Sequence, residues 1–295
     1  MKNFSQLCED LEDRMLSSNV YFGHGTDNAY DEAVWLACHI CEIDLAIEEE
    51  LPWSRNVSET EATRADNLLD KRISSGKPLA YLINEAWFGG ERFYIDQRAI
   101  VPRSHLGEWI PDRFEPWLDL THPRSKILDL CTGSGCIAIA LAKSFPEALV
   151  HGADLSSAAL AVAQINVDMH NLSDRVELFQ GDMYDFVDEN SEPYDLIVSN
   201  PPYVASQLML DLPDEYGFEP PMAFEGGETG LDFIEQIIKN APRYLSENGV
   251  LVVEAGSANV SLEKHFPNIP FTWLSSANGD EVIFLLTAAE LKQYF

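Results

Sequence analysis

From Lys126 onward, short aliphatic runs alternate with amphipathic stretches, and this alternation constrains the fold more than any other feature of the chain. Strands are predicted at Ile127–Leu130, Leu149–Ala153, Val176–Phe179, Leu196–Val198, Val250–Val253, Phe271–Trp273 and Val282–Leu286. Helices are predicted at Cys136–Lys143, Ser157–His170 and Leu231–Leu245, the last kinked at Pro242. Strands that alternate with helices need crossover connections, so the expected fold class is α/β, a doubly wound, mostly parallel seven-stranded sheet. In such sheets ligands bind beyond the carboxyl ends of the strands.

The residues after the predicted strands repay attention. Asp129-Leu130-Cys131-Thr132-Gly133-Ser134-Gly135-Cys136 follows the first, and its glycines let a ligand approach the backbone at a helix N-terminus. The spacing fits neither a dinucleotide fingerprint nor a phosphate loop. Asp154 ends the second strand, where an acid accepts from both hydroxyls of a ribose or caps the next helix, although Ser156 and Ser157 could also cap it. After the third come Asp182, an acceptor for an adenine amino group, and Met183, a cover for the ring. Together they suggest a nucleoside without phosphates.

Asn200-Pro201-Pro202-Tyr203 follows the fourth strand. Proline has no amide hydrogen for a ladder and holds its predecessor extended, so the turn is stiff. It offers the Asn200 side-chain oxygen and the Pro201 carbonyl as acceptors and Tyr203 as an aromatic face, a grip for a planar group bearing NH2. The plainer reading is an ordinary Asn-Pro turn. Four such motifs at successive strand ends read as a methyltransferase.

Residues 1–84 read differently. Phe4, Leu7, Cys8, Leu11 and Met15 recur at helical spacing; Asn28 is placed to cap a second helix with Ala33, Val34, Ala37 and Cys41 inward. Ser58 and Glu61 form a capping box for a third, with Leu68, Leu69 and Ile73 inward and Gly76 and Pro78 at its end. The loop Tyr21–Asp27 lies between the first two. This is a small helical domain suited to holding a partner. Residues 85–101 are expected to form a β-hairpin linker about Gly89-Gly90, and 102–295 the methyltransferase domain, beginning with a proline-broken helix over Trp109–Leu120.

Net charge is −30, which disfavours nucleic acid, whose phosphates need clustered Lys and Arg, and favours a basic protein partner. Residues 1–84 hold 16 acids and 7 bases and the remainder 33 and 12, an even spread that reads as solubility or salt adaptation more than one docking surface. No apolar run reaches membrane-spanning length, the first ten residues do not resemble a signal peptide, and five cysteines suggest reduced thiols, all consistent with a cytoplasmic protein. Cys38-His39-Ile40-Cys41 reads as one side of a helix, and no metal site is expected.

With those residues in place, the chain resembles the class I S-adenosylmethionine-dependent methyltransferases. Asn-Pro-Pro-Tyr makes it similar to the protein-glutamine N5-methyltransferases, and Tyr21–Asn28, Ala86-Trp87-Phe88, Val101-Pro102-Arg103-Ser104, Asp129–Cys136 and Phe271–Leu274 resemble the branch acting on the third large-subunit ribosomal protein. The resemblance implies S-adenosylmethionine as cofactor, held by the Cys131–Gly135 turn, Asp154 and Met183. It also implies that Asn200, Pro201, Pro202 and Tyr203 hold the target glutamine of a basic ribosomal protein. Two departures stand out: Asn278–Glu281 is not glycine-rich, and His105-Leu106 replaces the usual Pro-Ile; neither is expected to touch the chemistry. The rival substrates are the release-factor glutamine and, more remotely, an exocyclic amine of a flipped base. A non-catalytic ribosome-assembly factor is the alternative class, and a monomer is the favoured state.

Overall fold

In the computed structural model, residues 2–44, 50–118, 125–188 and 191–295 are described. The chain divides into two units, one of Met1–Gln97, Val101–Arg103 and Pro213–Glu219, the other of Arg98–Ile100, Ser104–Leu212 and Pro220–Phe295.

The first unit is built on helices whose starts are chemically marked. In α1 (Phe4–Leu16) the Asn3 side chain accepts from the Gln6 amide while the Gln6 side chain returns to the Asn3 amide. Asn28 accepts from the Asp31 amide at the head of α2 (Ala29–Cys41). Ser58 and Glu61 cap α3 (Glu59–Ser75) reciprocally, and Gly76 ends it at φ +65°. Each cap satisfies otherwise orphaned amides, worth about 1 kcal/mol apiece. The predicted apolar stripes of α1 and α2 are buried. In α3 only Leu69 of the three named residues is fully buried; Leu68 and Ile73 are half-buried, and Arg72 takes the inward position instead. A short helix α4 (Leu79–Ile83) follows Pro78, then the hairpin strands β1 (Ala86–Phe88) and β2 (Glu91–Phe93) about the Gly-Gly turn. Cys38 and Cys41 lie buried within α2; burial pushes Cys38, like Cys8, up to about 12, so these thiols are inert.

The centre of this unit is polar. The Arg72 guanidinium donates to Glu32 at 2.7 Å, to both carboxylate oxygens of Glu215 at 3.0 and 2.8 Å, and to the Tyr21 carbonyl at 2.9 Å. Arg103 grips Glu219 through two bonds of 2.9 and 2.7 Å, and His24 Nε2 lies 3.2 Å from the same carboxylate. Burial would raise Glu219, but His24 and Arg103 outweigh it and hold its carboxyl down at about 2. Glu215 and Glu219 belong to the segment Pro213–Glu219, which follows the Asn-Pro-Pro-Tyr motif in the chain.

In the second unit a short α5 (Leu106–Trp109) precedes the alternating part: β3 (Lys126–Leu130), α6 (Cys136–Ser144), β4 (Leu149–Asp154), α7 (Ser157–Met169), β5 (Val176–Gln180) and β6 (Tyr194–Ser199). Then come α8 (Asp232–Tyr244), β7 (Leu245–Glu254), α9 (Asn259–His265), β8 (Thr272–Ser275), β9 (Glu281–Thr287) and α10 (Ala288–Tyr294). The seven strands lie in the order β5-β4-β3-β6-β7-β9-β8, with β9 antiparallel to both neighbours and the other pairings parallel. Ile234, Ile237, Ile238 and Ala241 of α8 recur three and four apart and are wholly buried with Leu251, Val253 and Phe284 of the sheet. Fully burying each isoleucine is worth roughly 1.5–3 kcal/mol. Pro242 lies inside α8 two residues before its end.

The helix expected over Trp109–Leu120 is not formed. Residues 110–117 are turns, Arg113 and Phe114 are left-handed, and the helix that does form, α5, lies just upstream. Pro111 and Pro116 explain this, since each removes an amide donor. Leu120 is outside the described residues. No described helix is long and apolar enough to cross a membrane.

Candidate active site

β3 is the point where the sheet changes direction, with β4 and β5 on one side and β6 and β7 on the other. The register pairs Leu130 with Ala153 and with Ser199, Asp154 with Gln180, and Ser199 with Val253. Cys131, Asp154, Gly181, Asn200 and Glu254 therefore emerge in one row along the carboxyl edge.

The Cys131–Gly135 turn is held from beneath. Thr132 donates its amide to the Ala153 carbonyl at 3.0 Å and its hydroxyl to Asp129 at 2.5 Å; Asp129 also accepts from the Ala138 amide at 3.0 Å. Burial pushes the Asp129 carboxyl up to about 7 against these two bonds. The Thr132 and Ser134 side chains are buried. What the turn presents is backbone, with Cys131 at φ +58° and Gly133 at φ +55°, at the N-terminus of α6. Asp129 thus lies under the turn rather than at its surface.

Asp154 accepts from the Gly133 amide at 2.9 Å and the Ser156 amide at 2.8 Å, tying the turn to the next strand. Ser156 caps α7 by accepting from the Ala159 amide, so capping is not the task of Asp154. Burial raises its carboxyl, partly offset by the two amides. Each of its oxygens has a further lone pair for a hydroxyl. At the end of β5, Asp182 is exposed and Met183 is half-buried at φ +48°.

Asn200 follows β6, whose end is tied to β3 by the Ser199 hydroxyl on the Leu130 carbonyl at 2.8 Å. Its Oδ1 is buried and has no hydrogen-bond partner among the described residues. An unmade buried acceptor costs about 1–3 kcal/mol, so this oxygen is placed for a donor from outside the chain. Pro201 and Pro202 are buried and Tyr203 half-buried. Two glycines let neighbouring backbone press on the turn: a Cβ at Gly256 would lie 2.2 Å from the Tyr203 ring, and one at Gly230 2.3 Å from the Tyr203 carbonyl oxygen.

Sequence reasoning missed Glu254, at the end of β7. It is 2 % exposed and accepts from the Ser104 hydroxyl at 2.5 Å, the His105 amide at 3.0 Å and the Tyr203 hydroxyl at 3.4 Å. Burial raises its carboxyl. Its only signal was a lone acid ending an apolar strand on the same edge as Asn200. The departure at position 105 also matters more than expected. Proline there would have no amide to donate, whereas His105 adds a bond to the carboxylate that Tyr203 touches.

The methyltransferase small domain family matches residues 117–212. Relatives named ribosomal protein uL3 glutamine methyltransferase are similar over almost the whole chain. One from Francisella tularensis is 43% identical over 95% of this chain and 88% of its own, and one from Burkholderia pseudomallei 41% over 98% and 96%. Among solved structures, the hMettl16 catalytic domain in complex with the MAT2A 3'UTR hairpin 6 has a TM-score of 0.50 at 18% identity, covering 85% of this chain and 91% of that one, a likeness of fold. The switch-point turn, the acid tied to it and the absence of Lys and Arg from Asp129–Cys136 and Asn200–Tyr203 fit a cationic, phosphate-free nucleoside. The family model and these relatives make the chain an S-adenosylmethionine-dependent methyltransferase. With 41–43% identity over nearly full length, the chain belongs to the ribosomal protein uL3 glutamine methyltransferase family.

Proposed function

We propose that this enzyme methylates the side-chain amide nitrogen, N5, of a glutamine in ribosomal protein uL3. The observation that carries the reading is the buried, unpartnered Oδ1 of Asn200 at the β6 edge, beside the Cys131–Gly135 turn. S-adenosylmethionine, when bound, supplies a methyl group on a sulfonium. The Cys131–Gly135 backbone, Asp154, Asp182 and Met183 are assigned to its binding, with Asn200 near its methionine part and Asp129 bracing the turn from below.

An amide nitrogen is a poor nucleophile because its lone pair is delocalised. Asn200 Oδ1 and the Pro201 carbonyl accept its two hydrogens, which turns the lone pair toward the methyl and polarises the N–H bonds. Tyr203 packs on the amide plane, and Glu254 fixes the Tyr203 hydroxyl. The nitrogen would gain the methyl as the sulfonium's bond to that methyl breaks, its electron pair staying on sulfur, and the proton shed after alkylation would pass to solvent, so no strong base and no metal is required. The N-terminal helical unit is assigned to reading the surroundings of the glutamine. The enzyme is read as cytoplasmic and monomeric.

Asp154→Ala should weaken S-adenosylmethionine binding by about 1–3 kcal/mol, the cost of losing a charged acceptor. Titration calorimetry measures it directly, and an unchanged affinity would leave Asp154 only its role of tying two turns.

For the substrate, uL3 and a peptide-chain release factor are offered in one tube with labelled cofactor. Label should appear first on uL3, because a chain of net charge −30 attracts a strongly basic protein at long range, and the advantage should shrink as salt rises. Label first on the release factor would overturn the substrate and leave the chemistry standing. The same charge weighs against a nucleic-acid amine.

A further inference from the structure

The chain leaves the Asn-Pro-Pro-Tyr turn at Val204 and returns to it before α8. Departing and returning strands are zipped together: the Val204 amide donates to the Phe224 carbonyl, the Gly226 amide to the Val204 carbonyl and the Ser206 amide to the Gly227 carbonyl, each at 2.8 Å. Beside this zipper three large apolar side chains face solvent, Leu208 at 47 %, Met222 at 47 % and Leu210 at 85 % exposure. Leu208 and Met222 lie within four residues of the bridged pair Val204 and Glu225. Single exposed apolar residues are ordinary; three on one loop that issues from a catalytic turn mark an interaction surface.

Charge identifies the occupant. Between Arg175 and Lys239 the sequence has no Lys, Arg or His and 15 Asp and Glu, a gap hidden by the even spread of acidity between the two parts of the chain. Asp211, Glu225 and Glu228 of the loop are exposed. A second copy of this chain would set acid against acid, and an anionic membrane would be repelled equally. A basic polypeptide with apolar residues meets both halves of the surface.

We propose that the zippered base of this loop docks the residues flanking the target glutamine, with Leu208, Leu210 and Met222 meeting apolar side chains and Asp211, Glu225 and Glu228 meeting Lys and Arg. An extended chain advances about 3.3 Å per residue, so a glutamine held at Asn200 carries its next few neighbours over this surface. The inference rests on the methyl-transfer reading above.

Two variants test it, Leu208→Ser/Leu210→Ser/Met222→Ser and Asp211→Asn/Glu225→Gln/Glu228→Gln, with uL3 as the probe. In each, KM for uL3 should rise on the order of tenfold, while kcat and cofactor affinity stay unchanged. The second should also weaken the salt dependence of KM. An unchanged KM in either variant overturns the proposal, since it requires both halves. Leu210→Ser alone, at the most exposed position, replaces the triple variant if that fails to fold. If the unaltered enzyme puts no label on uL3, the substrate reading fails and takes the surface with it. Label on uL3 with unaffected variants removes the surface alone.

Discussion

Asn200→Ala is expected to lower turnover on the order of 10²-fold or more, the usual consequence of removing an oriented polar contact at a reacting group. Asn200 follows the strand next to β3, its Oδ1 is buried without a partner, and the prolines after it leave the turn little freedom to compensate. S-adenosylmethionine binding should suffer much less, because the Cys131–Gly135 turn and Asp154 are held by bonds that do not involve Asn200. Single-turnover methylation with calorimetry on the same preparation separates the two effects. Full activity in the alanine variant would end the reading of this turn as the glutamine grip.

The largest effect on stability is expected at Arg72. Its guanidinium is fully buried and bonded to Glu32 and Glu215, so Arg72→Met would leave two buried carboxylates without their countercharge. Breaking a buried pair from one side costs about 3–5 kcal/mol. Arg72→Lys should recover only part, because an ammonium cannot reproduce the two parallel bonds to Glu215. Chemical denaturation of the three proteins measures this, and a loss below about 1 kcal/mol for the methionine variant would show that the network is not structurally important.

Short-range rules carried most of what the sequence revealed. Asn28, Ser58 and Glu61 cap as read because capping depends on neighbours within three residues. All seven predicted strands appear; the runs of β3, β6, β7 and β9 are buried on both faces of the sheet, whereas the edge strands β5 and β8 are only partly buried. The row of strand-end motifs was legible because the parallel pairing of β3, β4, β5 and β6 puts their carboxyl ends on one edge. Long-range electrostatics was not legible. Arg72 occupies an inward position in α3, three residues after Leu69, but its partners Glu32 and Glu215 are 40 and 143 residues away, and nothing local announces them. Glu254 was missed for the same reason, its partners Ser104 and Tyr203 lying 150 and 51 residues distant. The helices α4, α9 and α10 were too short for a periodic pattern, and the Thr287–Glu290 capping box that starts α10 went unread.

The buried acids Glu215 and Glu219 set an order of events during synthesis. A chain is made from its N-terminus, so Arg72 and His24 leave the ribosome long before the carboxylates that complete their surroundings. Arg72 precedes Glu215 by 143 residues, which at about 5–20 residues per second is a delay of roughly 7–29 s. During that interval the three capped helices can form, but the centre of their unit lacks two of its three buried acids. The helical unit therefore comes first in the gene and closes late, after the Asn-Pro-Pro-Tyr turn has itself been translated.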